Sequence, residues 1–166
     1  MRFSWIALSA LLALLAFSGC SQKGAFDLFK MDEAHERAVE QLRTGAIIQS
    51  FETKALASAI YLNPIDPQTY KDGEYFVGAV YFEKVNQDVK KWDLYTHGYT
   101  LTLNGAKPTL LEELKENDPR RALIPVQNNW NKYYFIRFDS VPEGALTLLL
   151  ENNQTGSVAL SYQKGK

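Results

Sequence analysis

The chain of 166 residues has one cysteine, Cys20, and only two histidines. A single cysteine allows no internal disulfide, and this set offers few ligands for a zinc site. Neither sign of charge dominates, because 18 basic side chains stand against 19 acidic ones for a net charge of -1. This balance argues against a nucleic-acid-binding surface, which is usually strongly basic. The 10 glycines and 6 prolines are too few for a fibrous or low-complexity chain.

Catalytic motifs are also scarce. The sequence contains no G-x-S-x-G, no H-E-x-x-H and no glycine-rich phosphate loop. His35 and His97 each lack a second histidine or a cysteine at metal-ligand spacing, so we interpret both as surface or turn residues. We therefore predict no catalytic residue, no metal site and no cofactor. A hydrolase whose site is assembled around His97 from distant residues is the last-ranked alternative.

Residues 1–19 differ in composition from the rest of the chain. They carry one charge, Arg2, and their apolar run 5–17 is 13 residues long. As a helix this run would rise only about 20 Å, whereas the hydrocarbon core of a membrane is about 30 Å thick. A basic residue, a short apolar run and then small residues are typical of a secretory signal peptide that is removed.

The segment Phe17-Ser18-Gly19-Cys20 resembles the lipobox of bacterial lipoprotein precursors, with Phe17 where leucine is most usual. The resemblance implies cleavage between Gly19 and Cys20, a diacylglyceryl group on the Cys20 thiol, and acylation of the new amine, for example by palmitate. Several acyl chains on one residue would hold the protein on a membrane durably. In lipoproteins of bacteria with two membranes, an aspartate directly after the lipidated cysteine commonly retains the protein at the inner membrane. The residue here is Ser21, so the resemblance implies the periplasmic face of an outer membrane rather than an inner membrane. A signal peptide cut elsewhere, with Cys20 a free or dimerising thiol, remains the alternative.

The pattern after the lipobox predicts a tether over 20–30 and a single domain over 31–166. We expect a leading helix at 33–43, and Thr109 with Glu112 predict a capping box for a short helical insert at 110–116. Alternating apolar residues and turn signals predict about seven strands. The expected fold is therefore mainly β, an antiparallel immunoglobulin-like β-sandwich. The predicted strands are 55–62, 74–83, 99–103 before an Asn104-Gly105 turn and a returning strand, 122–126, 132–139, 145–151 and 157–162.

The mature region is similar to the small immunoglobulin-like sandwich domains of bacterial lipoproteins, a resemblance based on the strand pattern and on residues 133–162. It carries no motif that would transfer an activity. Aromatic residues make up 13% of the chain. We expect most of them in the core, with one face of an all-aromatic strand under the helix or exposed. Four could contact a ligand or partner, namely Trp92, Trp130, Tyr95 and Tyr133.

Two hypotheses for the function follow. The first is a non-enzymatic interaction or assembly module, bound to the membrane through lipid on Cys20 and contacting another envelope protein. The second is a module that binds a small ligand or a glycan, such as a cell-wall fragment, through Trp92, Trp130 and nearby tyrosines. Neither hypothesis involves nucleic acid.

Overall fold

In the computed structural model, the described residues are 33–83, 94–96 and 98–165. Our predictions for the signal peptide, Gly19, Cys20, the tether, Trp92 and His97 lie outside these residues. Within them the chain forms one α-helix, one 3-10 helix and eight strands. The elements are α1 (Glu33–Gln41), β1 (Leu42–Gln49), β2 (Glu52–Tyr61), β3 (Glu74–Phe82), β4 (Thr100–Leu103), β5 (Leu110–Glu113), the 3-10 helix (Pro119–Leu123), β6 (Asn131–Phe138), β7 (Gly144–Asn152) and β8 (Gly156–Lys164).

The strands form two antiparallel sheets. Sheet 1 has the strand order β1-β2-β3-β6-β5, and sheet 2 has the order β4-β7-β8. The prediction of a mainly β chain with antiparallel strands and a leading helix is confirmed. The described residues contain eight strands, against about seven predicted. Two of them lie where no strand was predicted: β1, which follows α1 directly and pairs with β2, and β5.

The predicted helical insert at 110–116 is wrong, because residues Leu110–Glu113 form strand β5 at the edge of sheet 1. The backbone N–H of Thr109 donates to Arg137 O at 2.8 Å. Glu112 pairs with Arg120. The partners that β6 and Arg120 offer thus override the local capping signal.

The predicted strand at 122–126 is also wrong. The 3-10 helix extends through Leu123, and no strand is assigned at 124–126. Asn104 and Gly105 do form a tight turn, with φ of 49° and 86°, and Leu103 and Ala106 exchange two backbone hydrogen bonds across it. The strand that follows does not return along β4, since β5 joins sheet 1 and β4 pairs with β7.

Strands β3 and β6 are buried on both faces, which accounts for their aromatic content. One core lies between the two sheets, and a second lies on the other face of sheet 1, beneath α1. Phe76 and Tyr134 face the first core, whereas Tyr133 and Phe135 face the second. One aromatic set thus lies on the face of sheet 1 that carries α1, as predicted, and there Arg120 and Arg121 lie over the rings of Phe135 and Tyr133. The first core includes Tyr61, Phe76, Phe138, Leu103, Leu146, Leu150, Leu160 and Tyr162; the second includes Ala38, Ile60, Val77, Ala79, Tyr133 and Phe135.

The outer strands β1 and β8 approach each other closely at Gly45. A β-carbon at this position would lie 2.4 Å from Cγ2 of Val158 and 3.3 Å from Cδ2 of Leu160. Further along, Gln49 Nε2 donates to Gln154 O at 3.0 Å. Because Gly45 has no side chain, the two sheets meet along this flank and cover one side of the core between them.

At one end of this core the sheets are joined by Glu74, the one buried charged side chain among the described residues. Its Oε1 accepts from Lys164 Nζ at 2.6 Å and from Val141 N at 3.0 Å, and its Oε2 accepts from Tyr61 Oη at 2.6 Å. Burial raises the pKa of Tyr61, and the hydrogen bond to Glu74 adds to the effect. The phenol therefore remains protonated and donates to the carboxylate.

Replacing Lys164 by methionine should lower the free energy of unfolding by about 3–5 kcal/mol, because Glu74 stays buried and loses its cation. Urea denaturation followed by circular dichroism measures this change. The exposed Lys107 provides a matched control, and Lys107→Met should alter stability by less than about 0.5 kcal/mol. Equal effects of the two substitutions would contradict the role assigned to Lys164.

Candidate functional site

The most polar cleft described lies beside the start of β6, where that strand meets the chain that continues from β5. Its volume is about 370 Å³, which is within the range of small-molecule sites. We call it the asparagine cleft. It is lined by Glu113, Leu114, Lys115, Glu116, Arg121, Asn128, Asn129, Asn131, Lys132 and Tyr133.

One wall of the asparagine cleft is a turn that Asn128 holds in place. Asn128 Oδ1 accepts from the backbone N–H groups of Trp130 and Asn131, both at 2.9 Å. The hydroxyl of Tyr133 accepts from Asn128 N at 2.8 Å and donates to Asn128 O at 3.2 Å. Short side chains that bond backbone two and three residues on stabilise such turns. The backbone that carries Trp130 is therefore fixed before any ligand arrives.

The opposite wall includes Arg121, which the 3-10 helix positions. Asp118 caps this helix by accepting from Arg120 N at 2.9 Å. The guanidinium of Arg120 is held by Asp118 and Glu112, with distances of 2.6–3.1 Å. Arg121 is held differently, since its Cζ lies 4.0 Å from the centre of the Tyr133 ring. This cation–π contact orients the guanidinium without neutralising its charge.

The charges of the asparagine cleft are only partly compensated. Lys132 Nζ pairs with Glu113 Oε1 at 2.5 Å. Lys115 and Glu116 are exposed and of opposite sign. Arg121 forms no side-chain hydrogen bond with the described residues, and its Nε is buried without a partner. The cleft therefore presents a net positive charge at Arg121.

Two other cavities are less suited to a ligand. A cleft of about 310 Å³ is lined in part by Tyr61, Asn63, Tyr70 and Lys164. The polar ends of Tyr61 and Lys164 are already occupied by Glu74. The third cavity lies between the sheets, measures about 20 Å³ and has an almost entirely apolar lining, so it has room for no more than about one water molecule.

The predicted contact residues that the structure describes differ in exposure and in position. Trp130 is 69% exposed beside the asparagine cleft, and Tyr95 is 54% exposed. Tyr133 lies in the core beneath the helix with 2% exposure, and its hydroxyl and ring hold the two walls of the cleft. Tyr133 thus lines the asparagine cleft and Trp130 lies between two residues that line it, while the structure gives no contact between Tyr95 and either of them.

A second exposed feature was not predicted, the turn between β1 and β2, which we call the hairpin tip (residues 48–52). Ser50 and Phe51 have φ of 51° and 65°, a conformation that is uncommon for residues other than glycine and especially for bulky ones. Phe51 is fully exposed and Ile48 is 64% exposed. Because strand β1 was not predicted, the sequence offered no signal for this turn.

The structure gives no support for a catalytic role of the Ser161–Lys164 pair or of His35. Ser161 and Lys164 have the spacing of an S-x-x-K motif, but on strand β8 an odd spacing places them on opposite faces. His35 Nε2 lies 3.0 Å from Ala122 O and so connects α1 to the 3-10 helix. No cluster of metal-ligating side chains is found in the part of the chain that the structure describes.

Comparison with known proteins yields no relative, since no protein-family model, no curated protein and no solved structure matches the chain. Within the described residues, no helix has the length and apolar character needed to cross a membrane.

The ion pairs that hold the 3-10 helix should be sensitive to acid. Hydrogen bonding from Arg120 lowers the pKa of Asp118 to about 2 from a usual value of 3.8. Asp118 thus contributes stability above about pH 4, and this contribution is lost as the pH falls toward 2. The difference in unfolding free energy between the protein and its Asp118→Asn variant should shrink over that interval.

Urea denaturation at pH 7, 4, 3 and 2 measures this difference, with Asp139→Asn at an exposed aspartate as the control. A difference for Asp118→Asn that is the same at every pH would show that the lowered pKa is not coupled to folding.

Proposed function

We propose that the two sheets form an immunoglobulin-like β-sandwich to which β1 has been added. The strand order supports this proposal, because β2-β3-β6-β5 in one sheet and β4-β7-β8 in the other correspond to the ABED and CFG sheets of that fold. On this assignment β2 to β8 are the seven strands of the fold, in chain order. The cysteine and tryptophan residues that mark antibody domains have no counterpart here.

We propose that the chain is the precursor of a bacterial lipoprotein, anchored through lipid on Cys20 at the periplasmic face of the outer membrane. Its folded domain acts as a non-enzymatic module that contacts another envelope protein. The lipobox-like segment Phe17-Ser18-Gly19-Cys20 supports the anchor. The hairpin tip is the observation that carries the interaction role.

The hairpin tip is costly for an isolated molecule. Positive φ at Ser50 and Phe51 costs about 1–3 kcal/mol per residue. A fully exposed phenylalanine also forgoes the roughly 1.5–3 kcal/mol that its burial would gain. Neighbouring side chains are polar, since Gln49 and Glu52 flank the turn. A protruding apolar side chain with a polar surround fits a pocket on a partner protein, where such residues contribute most of the binding energy.

The membrane anchor is tested by Cys20→Ser. This variant should lose labelling with radioactive palmitate and should leave the membrane fraction, because no thiol remains to receive the lipid. Labelling and fractionation of the unmodified protein provide the reference. Palmitate labelling that persists in Cys20→Ser would refute the anchor.

The interaction role is tested by replacing Ser50-Phe51 with Asn-Gly, which suits a turn with two positive φ values. The double variant should be more stable, by about 1–2 kcal/mol, because the backbone strain is relieved. Crosslinking in intact envelopes should nevertheless recover less of a recurrent partner. Val126→Ser, at a residue 70% exposed, is the matched control and should not change recovery. Unchanged recovery with the Asn-Gly variant would refute contact through the hairpin tip.

A second candidate function is the binding of a glycan, and the asparagine cleft favours it. The cleft combines three asparagine side chains with an exposed tryptophan beside it. Amide groups both donate and accept hydrogen bonds, as sugar hydroxyls do. The two functions are compatible, because the hairpin tip and the asparagine cleft share no residue.

A further inference from the structure

We propose that the asparagine cleft binds a saccharide that carries a carboxylate. The inference rests on the second candidate function and narrows its ligand class from glycans in general to acidic ones. It does not depend on the membrane anchor or on the hairpin tip.

Arg121 is the residue that we expect to bind the carboxylate. Arg120 is held by Asp118 and Glu112, and Lys132 by Glu113, whereas Lys115, which also lines the cleft, is exposed to solvent. Arg121 stacks on Tyr133 at 4.0 Å and makes no ion pair with the described residues. A planar guanidinium held by stacking presents two parallel N–H donors, which match the two oxygens of a carboxylate.

The amide groups of Asn129 and Asn131 supply the remaining polar contacts. Both residues line the cleft, and within the described residues their side chains have no hydrogen-bond partner. Each amide offers an oxygen that accepts and a nitrogen that donates. A hydroxyl also donates and accepts, so adjacent ring hydroxyls satisfy such a pair better than a simple anion does.

Trp130 is not part of the lining, but it lies in the chain between Asn129 and Asn131, which are, and its side chain is exposed. Its backbone is fixed by Asn128 Oδ1 at 2.9 Å, between two residues that line the cleft. A large exposed indole gives broad contact area with few rotatable bonds, which suits the C–H face of a sugar ring. The volume of about 370 Å³ matches a ligand of one or two sugar units rather than a small inorganic ion.

The test compares N-acetylmuramic acid with N-acetylglucosamine, because the two sugars differ by a lactyl group that bears the carboxylate. Isothermal titration of the purified full-length protein should give about tenfold or greater preference for the acidic sugar, as expected for a charge-assisted contact. Lactate alone should bind at least about tenfold more weakly than the acidic sugar. This third arm separates recognition of the saccharide from recognition of any carboxylate.

Substitutions then assign the contacts. Arg121→Gln should remove the preference for the acidic sugar and leave binding of the neutral sugar within about twofold. Arg43→Gln is the matched control, since Arg43 also lies over a tyrosine ring, 5.7 Å from that of Tyr162, and it should change neither affinity. Trp130→Ala should weaken both sugars by similar factors. Circular dichroism checks that each variant is folded.

Three results would overturn the proposal. They are equal affinity for the acidic and neutral sugars, lactate binding as tightly as the acidic sugar, and no measurable binding of either sugar. Equal affinity would still be consistent with glycan binding and would refute only the requirement for a carboxylate. A preference that survives Arg121→Gln would place the acidic group elsewhere and would also overturn the assignment.

Discussion

The buried carboxylate of Glu74 is the contact on which the alignment of the two sheets depends. Glu74 on β3 binds Lys164 on β8, which lies 90 positions further along the chain, and it also accepts a hydrogen bond from Tyr61 on β2. Apolar contacts tolerate many alignments, but a buried charge does not. A slip of β8 by one residue would turn Lys164 to the opposite face and leave Glu74 unpaired. The ion pair therefore disfavours alternative registers, whatever its net contribution to stability.

Arginine side chains cover the aromatic surface that α1 leaves open on the outer face of sheet 1. Arg120 lies 4.5 Å from the centre of the Phe135 ring, Arg121 lies 4.0 Å from that of Tyr133, and Arg137 lies 5.6 Å from that of Tyr75. Long basic side chains lay apolar carbons on a ring while their charged ends reach water. The outer face of sheet 1 can therefore be apolar although α1 covers only part of it, because the arginines shield the remaining rings from water. The same arrangement leaves Arg121 oriented toward the asparagine cleft.

The sequence was most informative where hydrophobic alternation and tertiary pairing agree. Strands β6, β7 and β8 alternate clearly and were predicted within about two residues of their bounds. Strand β5 was missed because Thr109 and Glu112 mimic a helix start, whereas the partner of Glu112 is Arg120. Strand β1 was missed because Gly45 was interpreted as a helix end. The glycine is instead needed because β8 lies close to β1 at this position, and a contact between distant strands cannot be seen in the local sequence.

The candidate site shows the same limit. Trp130 and Tyr133 stood out in the sequence as aromatic residues, and the structure places Tyr133 in the lining of the asparagine cleft and Trp130 between two residues that line it. Arg121 could not be identified in advance, because Arg120 and Arg121 are neighbours in the sequence and only one of them has carboxylate partners. Which arginine is neutralised depends on where β5 places Glu112. The arginine that remains without a carboxylate partner is therefore decided by the fold and not by the local sequence.

Because Gly45 allows β1 to lie against β8, the two long outer strands cover each other along one flank. The outer strands of the opposite flank, β4 and β5, have four residues each. Short edges, and in β5 two glutamates, give a foreign strand little backbone to pair with. Copies crowded at high concentration therefore resist joining into polymers through their sheets, and any association must be selected by side chains on the turns.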